Sequence, residues 1–340
     1  MSKNPKIRLG YACINTYLRG KGVFSSRTAR EATIKKEGLK YAQELFVQNL
    51  KDTLEILRWN ENRGIRLFRM SSEIAPHATN PVFIPKSKRN DPTALAWDFR
   101  KYKPLLKAIG DYAKKHGHRL TFHPGQYSLL SSPNPRVVLN TTRDFYMHAL
   151  LLDLMGLDYN SIMVTHGGGV YGDKEKAMKT WAKNFNKMPL CVKRRLVLEN
   201  CETCYSITDV LKMSKMLAPF TGSGRVYKIP IVFDIFHYYC YNTTIIRKRG
   251  LGEELLDQPP MQDLFPHIIK SWGKRRIKMH LSEQSRGAVL GKHSYYIKQI
   301  PQLILKFRRV YGKKFDLMIE AKGKERAVIR LKKKYPHYVK

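Results

Sequence analysis

Acidic residues are scarce in this chain. Its 340 residues carry 27 aspartates and glutamates against 63 lysines and arginines, a formal charge of +36. A field of that sign favours a polyanion as partner, and nucleic acid is the commonest one. Cysteine is sparse as well. Cys13, Cys191, Cys201, Cys204 and Cys240 are odd in number and dispersed, which excludes a disulfide framework and suits a reducing compartment. No run of about 20 apolar residues exists, so no membrane-spanning helix is expected. Met1-Ser2-Lys3-Asn4-Pro5 lacks the apolar core of a signal peptide, so the protein reads as soluble and intracellular, and the sequons at Asn140 and Asn242 as incidental. Internal repeats and low-complexity linkers are absent. Ser131 and Ser132 have no base signature beside them, which argues against a nucleophilic serine. The apolar fraction, 43%, excludes disorder, and the length suits one large domain or two modest ones.

What is present is a repeated grammar. Short apolar runs rich in β-branched residues are bounded by turn formers, at 7–15, 65–71, 119–122, 161–165, 195–198, 229–233, 276–279 and 315–319. Helical spacing separates most of them, over 29–58, 93–116, 141–155 and 174–186. Strand–helix alternation predicts a parallel sheet with crossover helices. Eight such units predict an α/β fold of the (β/α)8 TIM-barrel class, whose active site lies at the C-terminal ends of the strands. A doubly wound open sheet is the alternative, gathering its residues at one switch point. Residues 1–325 are read as a single domain and 326–340 as a solvated basic tail able to add weak phosphate contacts.

The strand ends collect His77, His123, His166, Glu199, Asp234, His237, His280 and Glu320, with His293 in the loop after the seventh strand. Imidazoles and carboxylates are ligands for Zn²⁺ or Mn²⁺. Any one of these histidines alone could be structural. Together, with no metal, they would be buried charges in mutual repulsion or desolvation. Nine exceed what one ion takes, so a cluster of two or three divalent ions is expected, able to hydrolyse a phosphodiester. Strand period places Lys278 on the same side as His280, so it must be neutral, modified or paired with Glu199 or Asp234. In the turn His123-Pro124-Gly125-Gln126-Tyr127, Gln126 and Tyr127 follow a ligand and could wedge between bases or simply pack the loop. Tyr11 and Asn15 sit similarly after the first strand. The Cys201-Glu202-Thr203-Cys204 spacing suits redox or half of a zinc site but has no second pair. The glycines of His166-Gly167-Gly168-Gly169 could cradle a phosphate, or let the backbone turn close to a ligand.

These residues resemble the UV-damage endonucleases. The segments that carry the likeness are IRLGYACIN at 7–15, RMSSEIAPHA at 69–78, LTFHPGQYSLLSSPNP at 120–135, THGGGVYGDK at 165–174, RLVLEN at 195–200, PIVFDIFHYY at 230–239, KMHLSEQ at 278–284 and MIEAK at 318–322. The resemblance implies a metal-dependent TIM-barrel endonuclease, similar to the endonuclease IV abasic-site nucleases. It implies incision of double-stranded DNA 5′ to cyclobutane pyrimidine dimers or 6-4 photoproducts, leaving a 3′-hydroxyl and a 5′-phosphate, by a monomer. The family's ligands fall on the nine residues named above, with Mn²⁺ as the expected ion and Zn²⁺ or Mg²⁺ as alternatives. Glu199, Lys278 and Glu320 take catalytic roles, Lys278 matching a carboxylated lysine. Gln126 and Tyr127 match a pair that probes the damaged duplex, and Tyr11 and Asn15 match residues near the flipped lesion. Phe236 stands where relatives often carry a histidine, and Cys201–Cys204 replaces a more acidic stretch. The rival expectations are an abasic-site endonuclease, a metal-dependent sugar isomerase on the same barrel, and a DNA-binding protein with a dead site.

Overall fold

A computed structural model describes residues 6–125, 128–217, 220–222, 225–227, 229–249 and 260–340. The strands, in chain order, are β1 Arg8–Ala12, β2 Leu67–Arg69, β3 Arg119–Thr121, β4 Met163–His166, β5 Leu196–Glu199, β6 Phe220–Gly222, β7 Arg225–Tyr227, β8 Ile231–Asp234, β9 Ile277–Leu281 and β10 Phe315–Ile319. Eight of them form one parallel sheet in the order β3-β2-β1-β10-β9-β8-β5-β4, and β6 and β7 pair as a separate antiparallel hairpin. The sheet's two edges meet. Phe122, just past β3, donates its N–H to Ile162 (2.9 Å) and accepts from Val164 in β4 (3.0 Å). The architecture is therefore the expected TIM barrel, not the open sheet. Its strands read as continuous apolar runs because both faces are covered.

The helices are α1 Thr16–Arg19, α2 Glu31–Glu37, α3 Leu39–Glu61, α4 Lys103–His116, α5 Pro135–Leu154, α6 Lys174–Asn186, α7 Leu190–Arg195, α8 Ile207–Met216, α9 Ile235–Arg249, α10 Met261–Trp272, α11 Gln302–Tyr311 and α12 Lys324–Lys334. The segment 29–58, read as one helix, is two. Gly38 adopts φ +85° and ends α2 where α3 begins, a conformation that only glycine takes without strain. The segment 93–116 becomes α-helical only at α4, after a 3-10 turn at Phe99–Tyr102, and Pro104 sits in the first turn of α4, the one place a missing N–H costs nothing. By contrast, α5 starts six residues before the expected 141. Asn134 caps it by accepting from the Arg136 N–H (2.9 Å), and Pro135 opens the first turn.

At the N-terminal end of the barrel a single carboxylate holds three arginines. Asp316 is fully buried and accepts from Arg8 (2.8 and 2.7 Å), Arg119 (2.9 Å) and Arg276. Burial pushes its pKa up, but the guanidiniums outweigh that and hold it well below the usual carboxylate range. The C-terminal segment departs from expectation. Residues 326–340 are not a solvated tail: Ala327, Val328 and Leu331 of α12 are buried, and Val339 bridges Ile7 beside β1. Ile7 donates to Tyr338 (2.8 Å) and accepts from Lys340 (2.9 Å). The apolar positions at 327, 328 and 331 face the barrel, while Arg326, Arg330, Lys333 and Lys334 are exposed.

Candidate metal centre

The register of the sheet assembles the site. His166 of β4 lies level with Glu199 of β5, and Asp234 of β8 lies level with His280 of β9. Glu320 follows β10, anchored by its N–H to the Leu281 carbonyl (2.9 Å). Successive side chains of a strand point to opposite faces, so the last inward residue of each strand meets its neighbours at one height. Glu199 is the hub. One of its oxygens lies 3.2 Å from His123 Nε2 and 3.6 Å from His166 Nε2; the other lies 2.5 Å from His280 Nδ1. His280 Nδ1 is also 3.2 Å from Glu320 and 4.0 Å from Asp234. Two sets of ligand atoms result, His123/His166/Glu199 and Glu199/Asp234/His280, each with all its atoms within 4.8 Å of one another.

Second contacts orient these groups. His237 Nδ1 lies 3.0 Å from the Asn200 carbonyl, which fixes a proton on Nδ1 and turns Nε2 toward Glu202 (3.8 Å). Its main-chain N–H donates to Asp234 (2.8 Å). Asn200 brackets Asp234 on both sides, accepting from its N–H (2.9 Å) and donating to its carbonyl (3.0 Å). His123 Nδ1 faces the Pro124 carbonyl (3.1 Å), so its Nε2 lone pair faces the Glu199 carboxylate.

Two acceptors facing each other call for a cation between them. The orphaned atoms say the same. Asp234 Oδ2, His166 Nδ1 and His280 Nε2 are buried with no hydrogen-bond partner. Unpaired buried polar groups cost on the order of 1–3 kcal/mol each, and more when charged. Burial, and then repulsion from Glu199 and Glu320 against the pull of His237 and His280, pushes Asp234 up to about 6. Burial would raise Glu199 too, but His280, His166 and His123 hold it well below its ordinary value. Burial pushes His166 down to about 4 and lowers His280 as well, so both imidazoles are neutral and able to ligate. The donor set fits a divalent cation of the Mn²⁺ or Zn²⁺ type.

Lys278 is fully buried and donates to Thr121 Oγ1 (3.1 Å). Among the described residues no carboxylate forms an ion pair with it, so the salt bridge to Glu199 or Asp234 is not the outcome. Burial, with Arg69 and Arg119 nearby, pushes its pKa down to about 7. His293 borders the cluster. Its ring packs edge-on to Phe236 at 5.7 Å, and burial lowers its pKa against the pull of Glu320. His77 stands apart. Its ring bonds the Ala29 carbonyl (2.7 Å) and the Asn80 amide (3.1 Å) and packs on Phe83, and among the described residues no hydrogen bond or ion pair joins it to the other eight.

Tyr11 and Asn15 are fully buried. The Tyr11 hydroxyl donates to Asn60 (2.7 Å) and accepts from Asn15 (3.0 Å), whose own oxygen caps α1 through Leu18 (2.9 Å). Gln126 and Tyr127 lie outside the described residues. Beyond them, Ser128 donates to Asp144 (2.6 Å) and the Leu129 N–H to Thr141 (2.9 Å), both in α5. The glycines after His166 allow close approach: a Cβ on Gly167 would lie 2.6 Å from the Tyr205 ring. Three residues that the sequence did not single out belong to the site: Arg69, which pairs with Glu320; Asn200; and Thr121.

A family model described as UV-endonuclease UvdE matches residues 7–340. The chain is 36% identical over 334 residues to a UV-damage endonuclease of Acanthamoeba polyphaga mimivirus, covering 97% of this chain and 91% of that protein. It is 33% identical to the UV-damage endonuclease of Schizosaccharomyces pombe over 96% of its own length, and spans about half the length of that relative (50%). Identity to the UV DNA damage endonuclease of Clostridium perfringens is 30%, over 95% of this chain and 69% of that protein. Among solved structures, that of SacUVDE superposes with a TM-score of 0.75 at 27% identity, covering 97% of this chain and 98% of that one. Among the described residues no helix is long and apolar enough to cross a membrane.

Proposed function

The chain belongs to the UV-endonuclease UvdE family, and from that premise we propose that it is a metal-dependent DNA-repair endonuclease that incises the strand immediately 5′ to UV photoproducts. Cyclobutane pyrimidine dimers and 6-4 photoproducts are the substrates, and the products carry a 3′-hydroxyl and a 5′-phosphate. The observation that carries this is the convergence on Glu199: one buried carboxylate shared by two ligand sets at the C-terminal mouth of a barrel of charge +36. The protein acts as a monomer inside the cell.

Basic side chains capture duplex DNA by releasing counterions, so binding weakens with salt. Gln126 and Tyr127 wedge at a weakened stack, and the damaged nucleotides leave the helix at a cost of a few kcal/mol, least where stacking is already broken. Glu199, Asp234, Glu320, His123, His166, His237 and His280 would hold a divalent cluster, with His293 at its margin and His77, engaged by Ala29 and Asn80, outside it. Such ions, Mn²⁺ foremost, supply Lewis acidity that lowers the pKa of water and neutralises charge on the phosphate. Asn200 keeps Asp234 and His237 aimed into the site, and Arg69 holds Glu320 ionised, its guanidinium outweighing the effect of burial. Lys278 is carboxylated, and its depressed pKa favours the free amine from which a carbamate forms.

Incubating the protein with UV-irradiated, abasic and undamaged duplexes, with Mn²⁺ or with chelator, tests this. Metal-dependent nicking of UV-irradiated DNA is expected. Nicking of abasic DNA alone would transfer the protein to the abasic-site reading, and no nicking of any duplex by metal-loaded protein would point to a small-molecule substrate.

A further inference from the structure

Just past Glu199 the chain bends through Cys201-Glu202-Thr203-Cys204, two thiols that the metal chemistry does not use. Cys201 is buried and Cys204 partly exposed. The Cys201 sulfur accepts the main-chain N–H groups of Cys204 (3.2 Å) and Tyr205 (3.1 Å), and the Cys201 N–H donates to the Tyr205 carbonyl (3.0 Å). The Cys204 main chain thus lies directly on the Cys201 sulfur. The Thr203 hydroxyl donates to Cys204 Sγ (3.6 Å). A cation stands nearby: Lys174, fixed by Asp209 (2.8 Å) and the Tyr241 hydroxyl (3.0 Å), rests over the Tyr205 ring. Among the described residues no third His, Cys, Asp or Glu joins the two sulfurs in a ligating group, so this is not a metal site. What it resembles chemically is a dithiol held closed, with donors aimed at both sulfurs.

We propose that Cys201 and Cys204 form a redox-reactive pair in which Cys204 attacks a hydroperoxide and Cys201 resolves the product. The Cys204 thiolate attacks one peroxide oxygen, the O–O bond breaks, and the leaving hydroxide takes up a proton as water. The Cys201 thiol then attacks the sulfenic sulfur of Cys204, the S–O bond breaks, and a second water leaves as the disulfide forms. Two thiols and one hydrogen peroxide give one disulfide and two waters; the sulfurs lose two electrons and the peroxide gains them. The Cys201 contact, against the effect of burial, pulls the Cys204 thiol down to about 6, with Thr203 and Lys174 assisting. Cys191 is the internal reference, its thiol pushed up by burial. With the Cys204 thiol lowered and the Cys191 thiol raised, Cys204 carries the larger thiolate fraction at neutral pH, and the lower intrinsic nucleophilicity of an acidic thiol offsets only part of that advantage.

The test is limiting hydrogen peroxide in the presence of dimedone, which captures sulfenic acids, followed by peptide mass spectrometry. In the wild-type protein the peptide holding both cysteines should lose the mass of two hydrogens, and dithiothreitol should restore it. C201S should accumulate the dimedone adduct on Cys204. Cys204 should be consumed severalfold faster than Cys191 of the same molecules, a comparison that needs no variant to fold. Equal consumption of Cys204 and Cys191, or absence of the disulfide after Cys204 has reacted, would overturn the proposal. Neither outcome depends on what the enzyme cuts.

Discussion

Glu199→Gln separates the metal from the fold. Glutamine keeps the size of the side chain and removes the one carboxylate common to both ligand sets. In the metal-free protein the change weakens three imidazole contacts, at 3.2, 3.6 and 2.5 Å, and relieves repulsion of Asp234 and Glu320. The two effects oppose each other, so metal-free stability should shift by no more than about 1 kcal/mol. The metal-loaded proteins should differ clearly. A ligand at 100 times its Kd stabilises the native state by about 2.7 kcal/mol. With an unfolding entropy of roughly 2.1 cal/mol/K per residue, the 340-residue chain has about 0.7 kcal/mol/K, so Mn²⁺ should raise Tm by about 4 °C. Thermal unfolding with and without Mn²⁺ reads this directly. The wild-type shift should vanish in Glu199→Gln, and incision with it, while salt-sensitive DNA binding persists. An undiminished Mn²⁺ shift in the variant would refute the role of Glu199 as the shared ligand.

Asp316→Asn should destabilise the protein by about 3–5 kcal/mol in denaturant unfolding, because it strands three arginines around a buried site. The Asp316 pKa is depressed in the folded protein, so its contribution is present above the unfolded value near 3.9 and drains as pH falls below it. Wild-type stability should therefore fall more steeply than that of Asp316→Asn between roughly pH 4 and pH 2. Tyr127→Ala should narrow the difference in affinity between damaged and intact duplex, measured by titration at fixed salt, while metal content by elemental analysis stays unchanged. Glu325→Ala removes the carboxylate that accepts from the Thr16 and Tyr17 N–H groups (2.8 and 3.0 Å), and should lower stability by about 1–3 kcal/mol. Arg69→Met leaves Glu320 without its guanidinium, and should weaken Mn²⁺ affinity measured by calorimetry without abolishing it.

The barrel was legible because each strand announces itself twice, by a short apolar run and by the polar residue that ends it. Seven of the expected ligands converge for the same reason, since the sheet register delivers strand ends to one height. What the sequence hid are the partners that lie far away along the chain. Arg69 and Glu320 are 251 residues apart, and nothing local marks Arg69 as paired with Glu320. An aromatic or an amide at a strand end reads the same whether it faces solvent or core. The Tyr11 hydroxyl donates inward to Asn60, 49 residues on, a partner that nothing local announces. The basic run near the C-terminus masked α12 because the three lysines at its end dominate its composition, although Val328 and Leu331 are spaced to face the barrel. The starts of α4 and α5 were readable from Pro104 and from Asn134-Pro135, signals of helix entry stronger than the apolar spacing that followed.

The most direct measurement is to place one cyclobutane pyrimidine dimer at a known position in a duplex, supply Mn²⁺, and map the nick and its ends on a sequencing gel. A single cut immediately 5′ to the dimer is predicted, with a 3′-hydroxyl that a polymerase extends, abolished by chelator and absent from the undamaged duplex. An intact dimer strand in the presence of protein that demonstrably holds metal would contradict the account.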